Sequence, residues 1–376
     1  MEICIVTPKA VKGDGQGRAN YEIISYAITK GHQVTVVTSQ IASELEKNPL
    51  VTWIPVTVEK FPSNLIRELI FSWKSASWLN RHRTKFDLIQ VYGCVTSTKG
   101  DINTVQFVHS AWLKSPVHIS KIQKNLYGFY QWIYTFLGAY WEKQAFAKAE
   151  CIVAVSQRVK QELLDIGVFP NKIQVIFNGV DTEEFVPGSM DRKKLDLPEN
   201  VCLAMFTGDI RTNRKNLDTV LKALVNVPDL HLAVVGNTQN SPYLQMAKDL
   251  GLNQRVHFLG YRLDVAKIMQ AVDMFIFPSR YEPFGMVVSE AMATGLPVVT
   301  AKTTGASEIV TPECGIVLSD SEDVSELTEA LKKLDGDRHL RQEMGKAGRF
   351  IAQKHSWESK AEQYLELFEK FAANEN

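Results

Sequence analysis

Several things are scarce in this chain, and each scarcity removes a class of function. Neither sign of charge is in excess, since Lys plus Arg and Asp plus Glu number 42 each. A dedicated nucleic-acid binder carries a basic excess, so that class is disfavoured. The five cysteines (Cys4, Cys94, Cys151, Cys202 and Cys314) are scattered, with no CxxC pair and no zinc-ligand spacing. Structural thiols in a reducing compartment are the expectation. No uncharged run reaches the ~20 residues of a membrane-spanning helix. Repeats, low-complexity tracts and disordered linkers are missing too. The opening residues MEICIVTP read directly as a strand, with no secretory leader, and the expectation is a cytoplasmic protein.

What remains is a chain with the composition of a globular enzyme, 45% hydrophobic and 22% charged. At 376 residues it is too long for one ordinary core, so two domains are expected. The first half opens with a strand at Glu2–Thr7, a glycine-bearing loop to Gly17, a helix from about Asn20 to Lys30 and a strand at His32–Thr38. That is a β–loop–α–β unit beginning a parallel sheet. Gly13, Gly15 and Gly17 alternate, whereas a dinucleotide fingerprint would need glycine at Arg18, so a hydride-transfer cofactor is not expected. The loop is either a tight turn or a flexible face toward a sugar or phosphate. Further strands read at 51–55, 88–92 and 103–108, the last placing His109 just past a strand end. Ligands gather at that edge of α/β sheets, so His109 is either structural or an acid, base or hydrogen-bond donor.

Residues 60–148 are basic and enclose the uncharged aromatic stretch 125–141. This helix either packs in the core or lines the cleft, or it lies on an anionic membrane near a lipid acceptor. A polar turn, Asn178-Gly179-Val180-Asp181, separates the halves near residue 180.

The second half alternates strand and helix regularly, as a second doubly wound sheet requires. Its first strand, 201–207, runs into GDIRTNRKN, where Arg211, Arg214 and Lys215 stand just before a helix at 217–225. Such a density of cations suits a diphosphate. The strand Met274–Phe277 leads through Glu282 to a helix beginning near Gly285 that carries Glu290. Free N–H groups at a helix start after a strand's carboxyl end suit a phosphate, and a carboxylate one to two turns in suits ribose hydroxyls. Asp335-Gly336-Asp337 spells a DxD metal pattern but falls between surface helices and reads as a turn. No metal ligand is assigned.

The pattern resembles family 4 of the glycosyltransferases, retaining enzymes of the GT-B architecture. The resemblance rests on SRYEPFGMVVSEAMATGLPVVT, the NGVD link, GDIRTNRKN and the ending HSWESKAEQYLELF, and it spans essentially the whole chain. It implies an α/β fold of two Rossmann-like doubly wound parallel-sheet domains facing a deep interdomain cleft. An acceptor-side domain would comprise 1–180 with the C-terminal helix 358–376, and a nucleotide-sugar donor domain 181–357. It further implies that Glu282 meets the donor sugar's hydroxyls and Glu290 the ribose. The backbone of Phe284, Gly285 and Met286 would face sugar and diphosphate. Arg214 and Lys215 would neutralise the leaving diphosphate, Gly15 and Gly17 would approach it from the first domain, and His109 would bond the donor sugar or orient the acceptor. Many relatives carry arginine directly after the glycine of the second-domain loop, where this chain has Asp209. Arg211 or Arg214 would take its place.

The expected activity is metal-independent, cofactor-free transfer from a UDP-sugar such as UDP-glucose to a hydroxyl acceptor. That acceptor would be a sugar, a lipid-linked compound or a small molecule. A peripheral contact with an anionic membrane through 114–148, at the inner face, accompanies this reading. The alternatives are a nucleotide-sugar epimerase of the same fold and a non-catalytic nucleotide-sugar-binding subunit.

Overall fold

The computed structural model describes residues 1–13 and 15–374. The chain divides into two compact units: Met1–Gly179 with Trp357–Asn376, and Val180–Ser356.

Unit 1 is built on a seven-stranded sheet. Its strands are β1 (Glu2–Val6), β2 (Gln33–Thr38), β3 (Val51–Pro55), β4 (Leu88–Tyr92), β5 (Ile102–Val105), β6 (Cys151–Ala154) and β7 (Ile173–Val175), in the order β3-β2-β1-β4-β5-β6-β7. All pairings are parallel. The central strands are buried on both faces, which is why they read as continuous apolar runs rather than alternating ones. The order reverses between β1 and β4, so the loops after these two strands diverge and leave a crevice at their carboxyl ends.

Four helices of unit 1 surround or support that crevice: α1 (Gly15–Thr29), α2 (Asn64–His82), α3 (His109–Lys114) and α4 (Leu126–Lys148). Helix α1 begins five residues earlier than the sequence suggests. Asn20 looks like an N-cap, but its buried side chain instead donates to the Lys9 carbonyl at 2.7 Å and to Thr7, tying the helix to the loop after β1. Gly15 and Gly17 therefore sit in the first helical turn, not in a flexible loop. Residue 14, within that expected loop, lies outside the described residues. The last helix, Trp357–Asn374, packs Tyr364, Leu365 and Phe368 into the same core as Ile23, Ile24 and Ala27 of α1.

Unit 2 holds a six-stranded parallel sheet. Its strands are β8 (Cys202–Thr207), β9 (Leu230–Val235), β10 (Val256–Gly260), β11 (Met274–Phe277), β12 (Val298–Ala301) and β13 (Gly315–Leu318), in the order β10-β9-β8-β11-β12-β13. Phe206, Phe275 and Phe277 are buried at its centre, each contributing roughly 1.5–3 kcal/mol of transfer free energy. Here the order reverses between β8 and β11, and the helices that follow those strands are α5 (Leu217–Val225) and α6 (Met286–Ala293). The Asp335-Gly336-Asp337 stretch is a helix junction: Asp335 and Gly336 end one helix, and Asp337 caps the next by accepting from the Leu340 N–H at 2.8 Å. Among the described residues, no group of three or more His, Cys, Asp or Glu side chains is placed to hold a metal ion.

Candidate active site

In unit 2 the loops after β8 and β11 meet at the reversal of strand order, where doubly wound sheets bind their ligands. The loop after β8 turns at Gly208 (φ +152°) and passes through a short 3-10 turn at Asn213–Lys215. It enters α5 through Asn216, whose φ is +67°. Asn216 does not cap α5 with its side chain. Its amide donates instead to the carbonyls of Pro278, at 2.9 Å, and Ser321, at 2.6 Å, pinning this loop to those after β11 and β13. Further bonds run between the loops after β8 and β11. The Arg280 N–H donates to the Arg214 carbonyl at 2.9 Å, and the Ser279 hydroxyl donates to the same carbonyl at 3.0 Å.

These ties bring Lys215, Arg214 and Glu282 together. Lys215 Nζ is in direct contact with Glu282 Oε2, and Arg214 Nη1 lies 3.7 Å from the same oxygen. The Lys215 and Glu282 side chains are only 13% and 14% exposed. Burial pushes the Lys215 ammonium below the usual lysine range, Glu282 opposes that shift and Arg214 adds to it. The Lys215 ammonium also rests over the Phe277 ring, 5.0 Å from the centroid. Two cations and one carboxylate in a desolvated corner leave net positive charge, which favours an anion.

Arg211 takes a different course. It forms a bidentate pair with Asp209, at 2.8 and 3.2 Å. Burial would raise the Asp209 carboxyl, but the hydrogen bonds from Arg211 outweigh it and hold the carboxyl below its ordinary value. Of the two arginines expected to replace the family's post-glycine arginine, Arg214 approaches Glu282 and Arg211 turns back onto Asp209. Arg280, which the sequence did not single out, pairs with Asp218 at 2.7 and 2.8 Å and with Glu322. It braces the outer side of the same loop.

Glu282 is held by its backbone as well. Its N–H donates to the Thr303 carbonyl at 3.1 Å, its own carbonyl accepts from the Gly305 N–H at 2.9 Å, and the Ala306 N–H donates to the Phe284 carbonyl at 2.6 Å. Gly285 then opens α6 with φ +94°, a conformation that disfavours any side chain, and no side chain caps the helix. An uncapped first turn leaves N–H groups without intrahelical acceptors. Met286 is the first helical residue and half-buried, Phe284 is buried behind it, and Glu290 stands on the second turn, half-buried.

His109 belongs to unit 1. Strand β5 ends at Val105 rather than Val108, and His109 is the first residue of α3. Both oxygens of the buried Glu142 accept at the start of α3, one from the His109 N–H and one from the Ser110 N–H, each at 2.7 Å. Glu142 was not legible as a partner because 33 residues separate it from His109. The imidazole packs edge-on against Phe107 and Tyr134 and so closely over Gly138 that a Cβ there would fall 2.8 Å from its ring. Among the described residues its Nδ1 has no hydrogen-bond partner. Burial pushes its pKa down to about 4, so the ring is neutral at pH 7.

That shift has a definite sign. The unfolded chain takes up a proton on this histidine near pH 6.5, whereas the folded chain resists it until about pH 4. Stability is unaffected above pH 6.5 and falls as pH drops from 6.5 to 4, by at most roughly 3 kcal/mol. Urea unfolding at pH 7 and pH 4.5 should show this loss, and a His109→Asn variant should lack that share of it. Equal pH dependence in both proteins would contradict the assignment.

His109 and Glu142 line an open cavity of about 730 Å³ formed by residues of unit 1. Pro8 and Gln16 reach it from the β1–α1 segment, Gly93–Ser97 from the loop after β4, Leu69 and Trp73 from α2, and Tyr134 and Trp141 from α4. It thus occupies the crevice expected at the β1/β4 reversal.

Two parallel α/β domains of this kind, with cations and a carboxylate gathered at the strand reversal of the second, define a GT-B glycosyltransferase architecture. Comparison with known proteins gives the family. The profile described as Glycosyltransferase Family 4 matches residues 13–184, and that described as Glycosyl transferases group 1 matches residues 189–350. The chain belongs to family 4 of the glycosyltransferases.

Among curated proteins, it is 29% identical over 224 residues to the lipopolysaccharide core biosynthesis glycosyltransferase LpsE of Rhizobium meliloti, a match covering 59% of this chain and 65% of that one. It is 30% identical over 249 residues to the D-inositol 3-phosphate glycosyltransferase of Corynebacterium jeikeium, covering 61% and 59%. The matched stretch thus spans less than two thirds of these relatives. Solved structures of the same fold include sucrose-phosphate synthase from Thermosynechococcus elongatus (TM-score 0.80, 20% identity, 99% of both chains). WaaG, a glycosyltransferase involved in lipopolysaccharide biosynthesis, has TM-score 0.76 and 21% identity, covering 97% of this chain and 99% of that one. Anabaena Alr3699/HepE, solved with UDP and glucose, gives TM-score 0.71 and 21% identity over 98% and 100%.

Proposed function

We propose that this chain is a retaining glycosyltransferase that moves a sugar from a nucleoside diphosphate donor, UDP-linked and of the UDP-glucose type, to a hydroxyl acceptor without a metal ion. The observation that carries the reading is the desolvated Lys215–Glu282 contact with Arg214 beside it, next to the uncapped start of α6. Cleavage of the sugar–phosphate bond leaves growing negative charge on the diphosphate. Lys215, Arg214 and the N–H groups at Gly285 and Met286 are fixed donors for that charge, and preorganised donors in a dry site lower such barriers most. Glu282, released from Lys215 by the incoming diphosphate, bonds the donor sugar's hydroxyls. Glu290 accepts from the ribose. In unit 1, Gly15 and Gly17, in the first turn of α1, are assigned to the approach toward the diphosphate. His109, neutral, serves as a hydrogen-bond partner for donor sugar or acceptor rather than as a charged acid. The acceptor's proton goes to the departing phosphate on the same face of the sugar, which preserves the anomeric configuration.

The reading includes a peripheral contact with an anionic membrane through residues 114–148. No described helix is long and apolar enough to cross a membrane.

Incubation with UDP-glucose should release UDP and, with an acceptor, give a product of unchanged anomeric configuration by NMR. Interconversion of the sugar with UDP still attached would replace the proposal with an epimerase. For Glu290→Ala the ribose role predicts a donor KM raised roughly tenfold or more with kcat changed much less. A lowered kcat at unchanged KM would remove Glu290 from that role.

A further inference from the structure

The helices that wall the unit 1 cavity leave an apolar surface uncovered. On α4, Leu126, Phe129, Trp132, Phe136 and Tyr140 are all exposed, Leu126 by 89%. Their three- and four-residue spacing places them on one stripe. Phe129, Trp132 and Phe136 stack in series, with centroids 6.3 and 5.3 Å apart and planes within 16°. A helix that only filled a core would have turned this stripe inward. The face of α4 about a quarter-turn away is the one that packs, through Thr135, Ala139, Glu142 and Phe146.

Helix α2 supplies a second stripe: Ile66, Leu69 and Trp73 are exposed, Trp73 by 69%. The two helices are joined by Tyr134, which donates to Glu68, and by the Leu65 N–H, which donates to the Tyr130 hydroxyl at 3.4 Å. Leu69 and Trp73 also line the cavity. The cavity mouth therefore opens within the apolar surface.

Lysines predominate in the charge around it, against the exposed carboxylates Glu59 and Glu150, the latter paired with Lys99. Lys121 and Lys124 are exposed just before the α4 stripe, Lys143 continues the stripe at its far end, and Lys114 and Lys148 lie close by, also exposed. Other carboxylates of this region are engaged: Glu68 with Tyr134, Glu142 at the start of α3, and Asp101 with Arg83 at 2.6 Å. Aromatic side chains framed by lysines, on a surface the described chain leaves open, match an anionic lipid leaflet: rings seat among the acyl chains and lysines meet the headgroups.

We propose that the exposed faces of α2 and α4 together form a dock for an anionic lipid leaflet, with the cavity mouth at its centre, so that the acceptor hydroxyl is delivered from the leaflet. The role of that hydroxyl as acceptor rests on the transferase reading. Lipid binding and UDP binding are measured separately, so either can fail alone.

The test uses the whole chain and vesicles of phosphatidylglycerol and phosphatidylcholine in equal parts. Sedimentation should carry the protein down at low salt and much less at ~0.5 M salt, where surface charge is screened. Brominated acyl chains should quench tryptophan fluorescence, and Trp73→Phe should remove part of the quenchable signal if the mouth faces lipid. Trp132→Ser with Phe136→Ser should weaken vesicle binding by roughly tenfold or more, given the apolar area lost, while UDP still raises the melting temperature. These exposed positions support no core, and far-UV circular dichroism checks the fold. Absence of low-salt binding by the native chain would overturn the proposal, as would full binding by the double variant. So would ultracentrifugation showing a dimer abolished by the same two substitutions, since a second copy would then be the occupant.

Discussion

Replacing Lys215 with alanine should lower kcat for sugar transfer by roughly 10²–10³-fold, about 3–4 kcal/mol of barrier. Two physical losses contribute. The ammonium is one of the two side-chain cations fixed beside Glu282, so its removal takes away much of the charge that the proposed reaction sets against the leaving diphosphate. The Glu282 carboxylate, only 14% exposed, also loses its direct partner and keeps Arg214 at 3.7 Å. A largely buried carboxylate that loses its nearest cation is costly, so the variant should also be less stable by about 1–3 kcal/mol. Lys215→Met separates the two contributions, because it preserves most of the volume against Phe277 without the charge. If the cation matters chiefly through charge, both variants lose kcat equally while Met retains more stability. A kcat within a few-fold of native in either variant would remove Lys215 from the chemistry.

The second large effect is expected at Gly305. A Cβ at this position would fall 2.0 Å from the Pro283 carbonyl oxygen and 3.0 Å from Phe284 Cα. Both are backbone atoms, so no rotamer change can relieve the clash. The segment Glu282–Gly285 would have to move away from β12, breaking the Gly305–Glu282 and Ala306–Phe284 hydrogen bonds that hold it. Gly305→Ala should therefore cost about 1–3 kcal/mol of stability. Because this segment carries Glu282 and starts α6, displacement by even ~1 Å should reduce kcat/KM about 10²-fold. Gly336→Ala is the control, since a Cβ there meets nothing within 4 Å. Urea midpoints and donor kcat/KM of the two variants test this directly. Native-like turnover in Gly305→Ala would mean that the geometry of this loop is not what the donor reads.

Much of the fold was legible because its signals are local. Strands β4 and β11 and helix α5 fall at the residues their apolar pattern indicates, since a strand buried on both faces leaves a continuous apolar run and a short amphipathic helix leaves its own period. Boundaries set by tertiary contacts were not legible. Helix α1 starts early because Asn20 is drawn back to the loop after β1.

The same division runs through the candidate site. Arg214, Lys215, Glu282 and Glu290 stand out as charged residues at strand ends in the sequence itself. That Arg211 folds back on Asp209 while Arg214 reaches Glu282 depends on hydrogen bonds between two loops 67 residues apart, and no spacing rule contains them. Glu142 under α3 and Arg280 bracing the loop after β8 were invisible for the same reason. The apolar face shared by α2 and α4 was half legible. The uncharged stretch 125–141 announced one helix, but nothing in the sequence said that Leu69 and Trp73 of another would extend it.

The central claim is that unit 2 reads a nucleoside diphosphate through Lys215 and Arg214. Calorimetric titration with UDP and with UMP on the native chain and on Lys215→Met tests it most directly. UDP should bind the native chain at least tenfold more tightly than UMP, about 1.4 kcal/mol, because the second phosphate meets the cations. That preference should largely vanish in Lys215→Met while UMP affinity stays the same. Equal affinity of the native chain for UDP and UMP, or an undiminished preference in the variant, would contradict the account.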